Sequence, residues 1–214
     1  MGRRLSFIGA ALALAAATAV PSASAVGLQS HRVAAAAPAP TAKRATAASA
    51  GGKLIAPASA CPDQEDLDAP ATDQEQTMEC MVNFARRQAG LGELVNTDAL
   101  AQSAHDKSFD ILRCDSFSHF ACGRAFTYWM KETGYISTPC WRVGENLAWG
   151  TGEYGSVRSI FTAWMHSPGH RENVLGNFDE TGLSLRVGTL EGHAGTRVWA
   201  EHFGSHCDAT AAQS

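Results

Sequence analysis

Two histidines and one glutamate, His119, Glu145 and His170, have the side chains and the settings expected of a functional site. Each is predicted to lie on a loop or at an element end, next to glycine or aromatic residues, and loops on a rigid frame often carry sites. Two imidazoles and a carboxylate could bind a divalent metal such as Zn²⁺ or perform acid–base chemistry. There is no H-E-x-x-H motif, so a zincin helix is not expected. The alternative is that each histidine only satisfies a local hydrogen bond.

The segment that contains His170, residues 161–175, is predicted to hold the end of an amphipathic helix followed by a break. Pro168 removes a backbone donor and disfavours helical geometry in the residue before it, and Gly169 permits a sharp turn. We therefore expect His170 on a bent polar segment that could border a cleft. Ser167 is a further candidate ligand-binding residue, with a turn or capping role as the alternative.

The periodicities of the chain predict an α+β protein with helices first and strands late. Helices are expected at residues 72–89, 98–113, 126–132 and 156–166. Thr72 and Glu75 have the spacing of a capping box at the start of the first helix. Residues 181–187 and 197–203 alternate and predict an antiparallel hairpin around the glycine-containing segment 188–196. Glu145, bracketed by glycine and an apolar run, is expected to be solvated at a strand end or half-buried.

Residues 1–25 predict a secretory signal peptide. Arg3 and Arg4 form a basic region, an apolar run of 16 residues follows to Val20, and Ala23-Ser24-Ala25 is a cleavage signal. That run is short for a membrane span, and no later run approaches membrane length. We therefore expect a secreted, extracellular protein without an integral membrane span.

Composition divides the rest of the chain into a linker and one domain. Residues 26–60 are rich in Ala, Pro and Thr and predict a disordered linker. Residues 61–214 have a suitable length for one domain. Six of the 17 basic residues precede residue 61 and all 21 acidic residues follow it, so the domain has a net charge of −10. That charge argues against nucleic acid as a partner.

The six cysteines all lie in the predicted domain: Cys61, Cys80, Cys114, Cys122, Cys140 and Cys207. An even number in an exported protein predicts three disulfides, and the sequence leaves all 15 connectivities open. Cys114 and Cys122 could close a small loop, and Cys207 is expected to pair with an earlier cysteine. Full pairing leaves no thiol as a nucleophile.

Two motifs carry a family resemblance. G-E-N-L-A-W at residues 144–149 and W-x-x-S-P-G-H-R-x-N-x-L at residues 164–175 resemble the signature stretches of the bacterial branch of the CAP superfamily. This superfamily comprises cysteine-rich secretory proteins, antigen 5 and pathogenesis-related proteins, and its domain is also called SCP-like. The loop with His119, the T-G-L-S-L strand and the final aromatic strand also fit. The resemblance covers residues 78–207.

The resemblance implies a three-layer α-β-α sandwich with a small antiparallel sheet and a wide cleft. In animal members the cleft holds two histidines and two glutamates, and by motif His119, Glu145 and His170 match three of them. The second glutamate would fall near Ser167, so the site does not carry over whole. His119 and His170 remain the candidate metal ligands, with Zn²⁺ as the candidate metal.

The leading functional hypothesis is a secreted binding or interaction module whose cleft binds a divalent metal or a small ligand. Its expected partners are an extracellular or envelope protein, a lipid or a small ligand. The alternatives are a hydrolase, namely a peptidase in which Glu145 and a histidine activate water, and a lipid or sterol carrier. No catalytic residue is assigned, because no clear nucleophile–base pair is visible. His202, on a predicted strand, is the next candidate if the cleft is wider.

Overall fold

The computed structural model describes residues 27–34, of which only the backbone is considered, and residues 53–206. The elements are β1 (Gly27–Ala34), α1 (Ala71–Gln88), β2 (Val95–Asn96), α2 (Asp98–Arg113), α3 (Tyr128–Glu132), β3 (Trp141–Thr151), α4 (Val157–His166), α5 (Pro168–Val174), β4 (Glu180–Leu190) and β5 (His193–His206). The α+β class predicted from the sequence is confirmed.

The strands form one sheet in the order β1-β3-β5-β4-β2. The β1–β3, β3–β5 and β4–β5 pairs are antiparallel, whereas β2 runs parallel to β4. The sheet is therefore mixed, and the prediction of an antiparallel sheet is wrong for its far edge. The two residues of β2 pair with the first two residues of β4 and run in the same direction. The chain then continues directly into α2, which packs across β4.

Helices cover both faces of the sheet, which gives the three layers that the family resemblance implied. On one face, α1, α4 and α5 pack against side chains such as Trp199 and Phe203 of β5. On the other face, α2 packs against Val198 and Ala200 of the same strand. Residues 198 to 203 serve both layers because successive side chains of a strand point to opposite faces.

The hairpin of β4 and β5 is longer than the sequence predicts. Its turn is only Glu191 and Gly192, both with positive φ, 49° and 81°. The predicted connection, residues 188–196, mostly continues the two strands instead. A two-residue turn with positive φ at both positions matches the twist of the strands, so the other glycines of this segment are not needed to reverse the chain.

Two helix boundaries differ from the prediction for reasons of local chemistry. α1 begins one residue earlier, with Pro70 at its N-cap and no side-chain cap. The predicted capping box does not form, because Glu75 Oε1 instead accepts a hydrogen bond from the backbone N–H of Leu185, 2.7 Å away. After α4 the chain does not stay bent, since α5 starts at once with Pro168 in its first turn, where no backbone donor is required.

The packed domain begins before residue 61. Leu54 and Ala56 are buried in the same core as α1 and α4, although the sequence assigns them to the linker. Cys61 bonds to Cys80 of α1 and anchors this segment. β1 also falls within the predicted linker. The composition of residues 26–60, with few large apolar side chains, did not indicate either the buried segment or the strand. A strand added at a sheet edge is held by its backbone rather than by its side chains.

The disulfides agree with the sequence in part. Cys114 and Cys122 close the small loop that their spacing suggested. Cys140 is also disulfide-bonded, and the part of the chain that the structure describes contains no free cysteine. The prediction for Cys207 lies outside the described residues. Among the helices that are described, none is long and apolar enough to cross a membrane.

A close approach between α2 and β4 depends on glycine. A Cβ at Gly182 would lie 2.1 Å from the backbone N of Ala101, whereas a Cβ at Gly188 would meet the end of the Leu112 side chain at 2.9 Å. Backbone cannot move aside as a side chain can. We expect Gly182→Ala to lower the free energy of unfolding by about 3 kcal/mol or more and Gly188→Ala by less than half as much. Urea denaturation of both variants measures this, and equal losses would contradict it.

Candidate functional site

Glu145 lies near the middle of β3 and is completely buried, not at a strand end as predicted. Its Oε1 is 2.6 Å from Nδ1 of His119, and its Oε2 is 2.8 Å from Nε2 of His202. His202 stands directly opposite Glu145 on β5. Both carboxylate oxygens are therefore used inside the protein, one by each imidazole.

Lys107 brings a positive charge to the same place. Its side chain is 2 % exposed, its Nζ donates to the backbone oxygen of His119 at 2.6 Å, and the same Nζ is 3.8 Å from Oε1 of Glu145. Lys107 reaches the sheet because it follows Leu100 and Ser103 on the buried stripe of α2. The ammonium group thus fixes the loop that carries His119 and faces the carboxylate.

Ser103 completes the network behind His202, with Oγ 2.8 Å from Nδ1 of the imidazole. An ionised carboxylate can only accept hydrogen bonds, so Nε2 of His202 carries a proton and donates to Glu145. Nδ1 of His202 then accepts from the hydroxyl of Ser103. By the same reasoning Nδ1 of His119 donates to Oε1. The network fixes both tautomers and the orientation of both rings.

The charges of the site stabilise one another. Burial raises the pKa of Glu145, but the Lys107 ammonium and the hydrogen bonds from His119 and His202 outweigh it and lower the pKa to about 2. Burial lowers the pKa of Lys107, and Glu145 and Asp110 oppose that shift. A carboxyl whose pKa falls on folding adds stability above pH 4.5 that is lost as the pH falls toward 2. The network therefore makes the folding stability of the protein sensitive to acid.

His170 and Ser167 form a separate group. Nδ1 of His170 is 2.7 Å from Oγ of Ser167, and the imidazole stacks on Trp164. The backbone oxygen of His170 accepts from the side chain of Asn146, the neighbour of Glu145 on β3. Side chains of adjacent strand residues point to opposite faces, so α5 packs on the face opposite the side chain of Glu145. The structure brings His119 and Glu145 together, whereas the described contacts of His170 are with Ser167, Trp164 and Asn146.

Asn173 links these two groups through the backbone. Its Nδ2 donates to the backbone oxygen of Glu145 at 3.3 Å and to Oδ1 of Asn146 at 2.8 Å. The G-E-N motif and the H-R-x-N motif are therefore in contact through their asparagines.

Sequence reasoning missed two members of the site and ranked a third too low. Ser103 and Lys107 are four residues apart on the buried stripe of α2, and a lysine at helical spacing from apolar residues could have signalled a buried carboxylate partner. His202 was ranked below His170 because no motif marks it. Its alternation on a predicted strand was the available signal.

Metal binding by His119 and His170 stays a prediction. Nδ1 of His119 is bonded to Glu145 and Nδ1 of His170 to Ser167, so a metal could bind either ring only through Nε2. Within residues 53–206, no group of three or more His, Cys, Asp or Glu side chains is arranged to hold a metal ion. We therefore derive no metal chemistry for this site.

The order of groups Ser103–His202–Glu145 is that of a nucleophile, a base and an orienting acid. All three side chains are 0 % exposed, so no substrate reaches the serine hydroxyl. His119 is 9 % exposed and is the member of the network that approaches the surface. The arrangement can hold one imidazole in a fixed orientation and tautomer and present it to a ligand.

The protein is a three-layer domain in which the G-E-N strand carries a buried glutamate between two histidines. The chain belongs to the CAP, or cysteine-rich secretory protein, family, whose sequence pattern it matches over residues 81–194. The chain is 31 % identical over 124 residues to the uncharacterized protein YkwD of Bacillus subtilis, with 58 % of this chain and 44 % of that protein covered. It thus spans less than half the length of this relative.

Two solved structures share the fold. An outer surface protein of Borrelia burgdorferi is similar with a TM-score of 0.54 and 16 % identity, over 65 % of this chain and 97 % of that one. An extracellular protein with an SCP domain from Bacillus anthracis gives a TM-score of 0.50 and 19 % identity, over 62 % of this chain and 40 % of that one. At these identities the likeness concerns the fold.

Proposed function

We propose that the protein is an extracellular binding module that recognises a polypeptide partner at the surface over His119. The observation that carries this proposal is the complete internal use of the Glu145 carboxylate, which leaves His119 as the contact of the network with the surface. Glu145, Lys107 and His202 hold the imidazole in place. Nδ1 of His119 is bonded to Glu145 and Nε2 is buried, so we expect a ligand to contact the small exposed part of this side chain.

A polypeptide is the ligand class that the surroundings favour. Phe120, next to His119, is an aromatic residue with 57 % of its surface exposed. Aromatic side chains are enriched in protein interfaces. An exposed aromatic beside a fixed imidazole suits a protein surface better than a small ion.

The extracellular location has separate support. Residues 1–25 have the pattern of a signal peptide. The two solved structures that share the fold are described as an outer surface protein and an extracellular protein. The two disulfides Cys61–Cys80 and Cys114–Cys122 suit an oxidising environment.

The two alternatives have less support. A hydrolase in which Glu145 activates water needs a carboxylate oxygen that can reach the water, and both oxygens are buried and bonded. A lipid carrier needs an apolar groove under its tryptophans, and Trp149 and Trp164 are themselves buried in the two cores. We therefore place the weight on binding.

The test uses peptides selected from a random-sequence display library on the immobilised full chain. We expect His119→Ala to weaken the binding of the selected peptides at least tenfold, because it removes the one imidazole of the network that approaches the surface. His170→Ala should leave the affinity within twofold. His193→Ala, beside the exposed hairpin turn, is the surface control. Fluorescence anisotropy gives the affinities and circular dichroism checks the fold.

Two results would overturn the proposal. One is a set of selected peptides that bind His119→Ala as well as the unmodified chain. The other is peptide binding that His170→Ala abolishes while the fold is intact, since this would place recognition on the opposite face of the sheet.

A further inference from the structure

The outer edge of β3 is covered by the N-terminal strand of the same chain. β1 pairs with β3 over eight consecutive residues, from Gly27 opposite Trp149 to Ala34 opposite Arg142. β1 is the outermost strand on this side, so its pairing supplies the partners of the outer backbone groups of β3. The covered stretch contains the whole G-E-N-L-A-W motif.

This edge requires a partner. Residues 143–150 of β3 are buried without interruption, and buried backbone N–H and C=O groups are costly when left unpaired. An open strand edge accepts another extended chain through main-chain hydrogen bonds, with little demand on side chains. An extended polypeptide is therefore the kind of partner that can pair this whole edge.

β1 is joined to the domain in a way that allows its exchange. Eighteen residues, 35–52, separate it from the next described segment, which is anchored by the Cys61–Cys80 disulfide. Beyond β3, the helix that β1 lies against is α5. The contacts of Leu54 and Ala56 in the core belong to the anchored segment, so they persist if β1 leaves the edge.

Charge adds a preference for cationic segments. Residues 26–60 contain four basic residues and no acid, whereas residues 61–214 have a net charge of −10. The sequence of β1 itself, G-L-Q-S-H-R-V-A, includes Arg32 and no acidic residue. A segment of opposite charge associates faster and more tightly with an acidic domain.

We propose that the outer edge of β3 is the docking site for an extended cationic peptide segment of a partner protein, and that Gly27–Ala34 occupies this site until the partner displaces it. The proposal rests on the function proposed above and names its partner class. The register supports it, because His31 stands opposite Glu145, which in turn stands opposite His202. A docked peptide therefore runs directly past the row of the sheet that holds the Glu145 network.

The test weakens β1 without touching the site. Gln29→Pro and Ser30→Pro are introduced together, because adjacent strand residues direct their N–H groups to opposite sides and one of the two must face β3. Ala36→Pro with Ala37→Pro, just beyond the strand, is the matched control. The probe is a fluorescein-labelled synthetic peptide of residues 26–35, and a second peptide with Arg32→Glu tests the charge preference.

We expect the first proline pair to expose the β3 amides to hydrogen exchange and to bind the probe at least tenfold more tightly than the control pair. Added probe should restore protection of the same amides, and the Arg32→Glu peptide should bind several-fold more weakly. If the first pair unfolds the domain, the isotope-labelled probe is added to the unmodified chain instead. Its own amides must then become protected.

Several results would overturn the inference. One is that the β3 amides stay protected in the first proline variant, and another is that the exposed edge does not bind the probe. A third is a dimer in light scattering that the probe cannot dissociate, which would identify a second copy of the chain as the occupant. The two proposals fail separately. If the library peptides require His119 but the β3 amides stay protected in the proline variant, only the docking site at the edge of β3 is refuted. If neither the probe nor the library peptides bind His119→Ala more weakly than the unmodified chain, only the recognition by His119 is refuted.

Discussion

Replacing Glu145 with glutamine is expected to lower the free energy of unfolding by about 3–5 kcal/mol at pH 7, the usual loss when one partner of a buried ion pair is removed. The change leaves the ammonium group of Lys107 buried without the carboxylate that lies 3.8 Å away. It also weakens the hydrogen bonds that orient His119 and His202. Urea denaturation of the full chain, monitored by tryptophan fluorescence, measures the loss.

A double variant separates charge from packing. Lys107→Met in the Glu145→Gln background removes the stranded charge, so the double variant should be more stable than the sum of the single losses predicts. Glu93→Gln is the control, because Glu93 pairs with Arg87 on the surface and both side chains are about half exposed. That change should cost less than about 1 kcal/mol. A loss at Glu145 as small as the loss at Glu93 would contradict the role of the network.

The second large effect concerns Glu201, a buried acid outside the site. It lies on β5 between Trp199 and Phe203 on the same face, with Oε1 3.3 Å from the hydroxyl of Thr181. Among the described residues no hydrogen-bond donor reaches Oε2. Burial raises the pKa of Glu201 to about 8, although Thr181 and Arg86 act in the opposite direction.

Glu201→Gln is therefore expected to stabilise the protein increasingly as the pH rises. In the unfolded chain the carboxyl loses its proton near pH 4.5, whereas the folded protein retains it until about pH 8, so the free energy of unfolding falls between these values. Glutamine cannot ionise. The stability difference between Glu201→Gln and the unmodified protein should grow by about 4 kcal/mol from pH 4.5 to pH 8.

Denaturation midpoints of both proteins across this range give the difference profile, in which all other titrating groups cancel. Glu191→Gln, in the exposed hairpin turn, is the control and should give a flat profile. A flat profile for Glu201→Gln as well would show that the carboxyl is already ionised in the folded protein at neutral pH.

Much of the fold could be predicted from local patterns. Apolar periodicity gave α1, α2 and α4 to within one residue at most ends, because each buries a single stripe against the sheet. The strands were harder to predict. β3 is buried on both faces and therefore lacks alternation, and β1 is held by its backbone, which leaves no signature in residue type.

The site could be predicted in part, because motifs mark residues but not the face to which they point. His119 and Glu145 were identified and do meet. His170 was grouped with them because its motif is equally distinctive, and its described contact with β3 runs from its backbone oxygen to Asn146, one position away from Glu145. A difference of one residue in a strand is a change of face, and this depends on register that no local pattern contains.

The order of the strands has a consequence for biogenesis. β5 is the last of the described strands to be synthesised, yet it lies between β3 and β4, which do not pair with each other. The sheet therefore cannot close until residues 193–206 have left the ribosome, and contacts between strands distant in sequence form slowly. A chain that cannot complete its sheet until its last strand has been synthesised stays unfolded during synthesis. This is the state that export of an unfolded polypeptide requires.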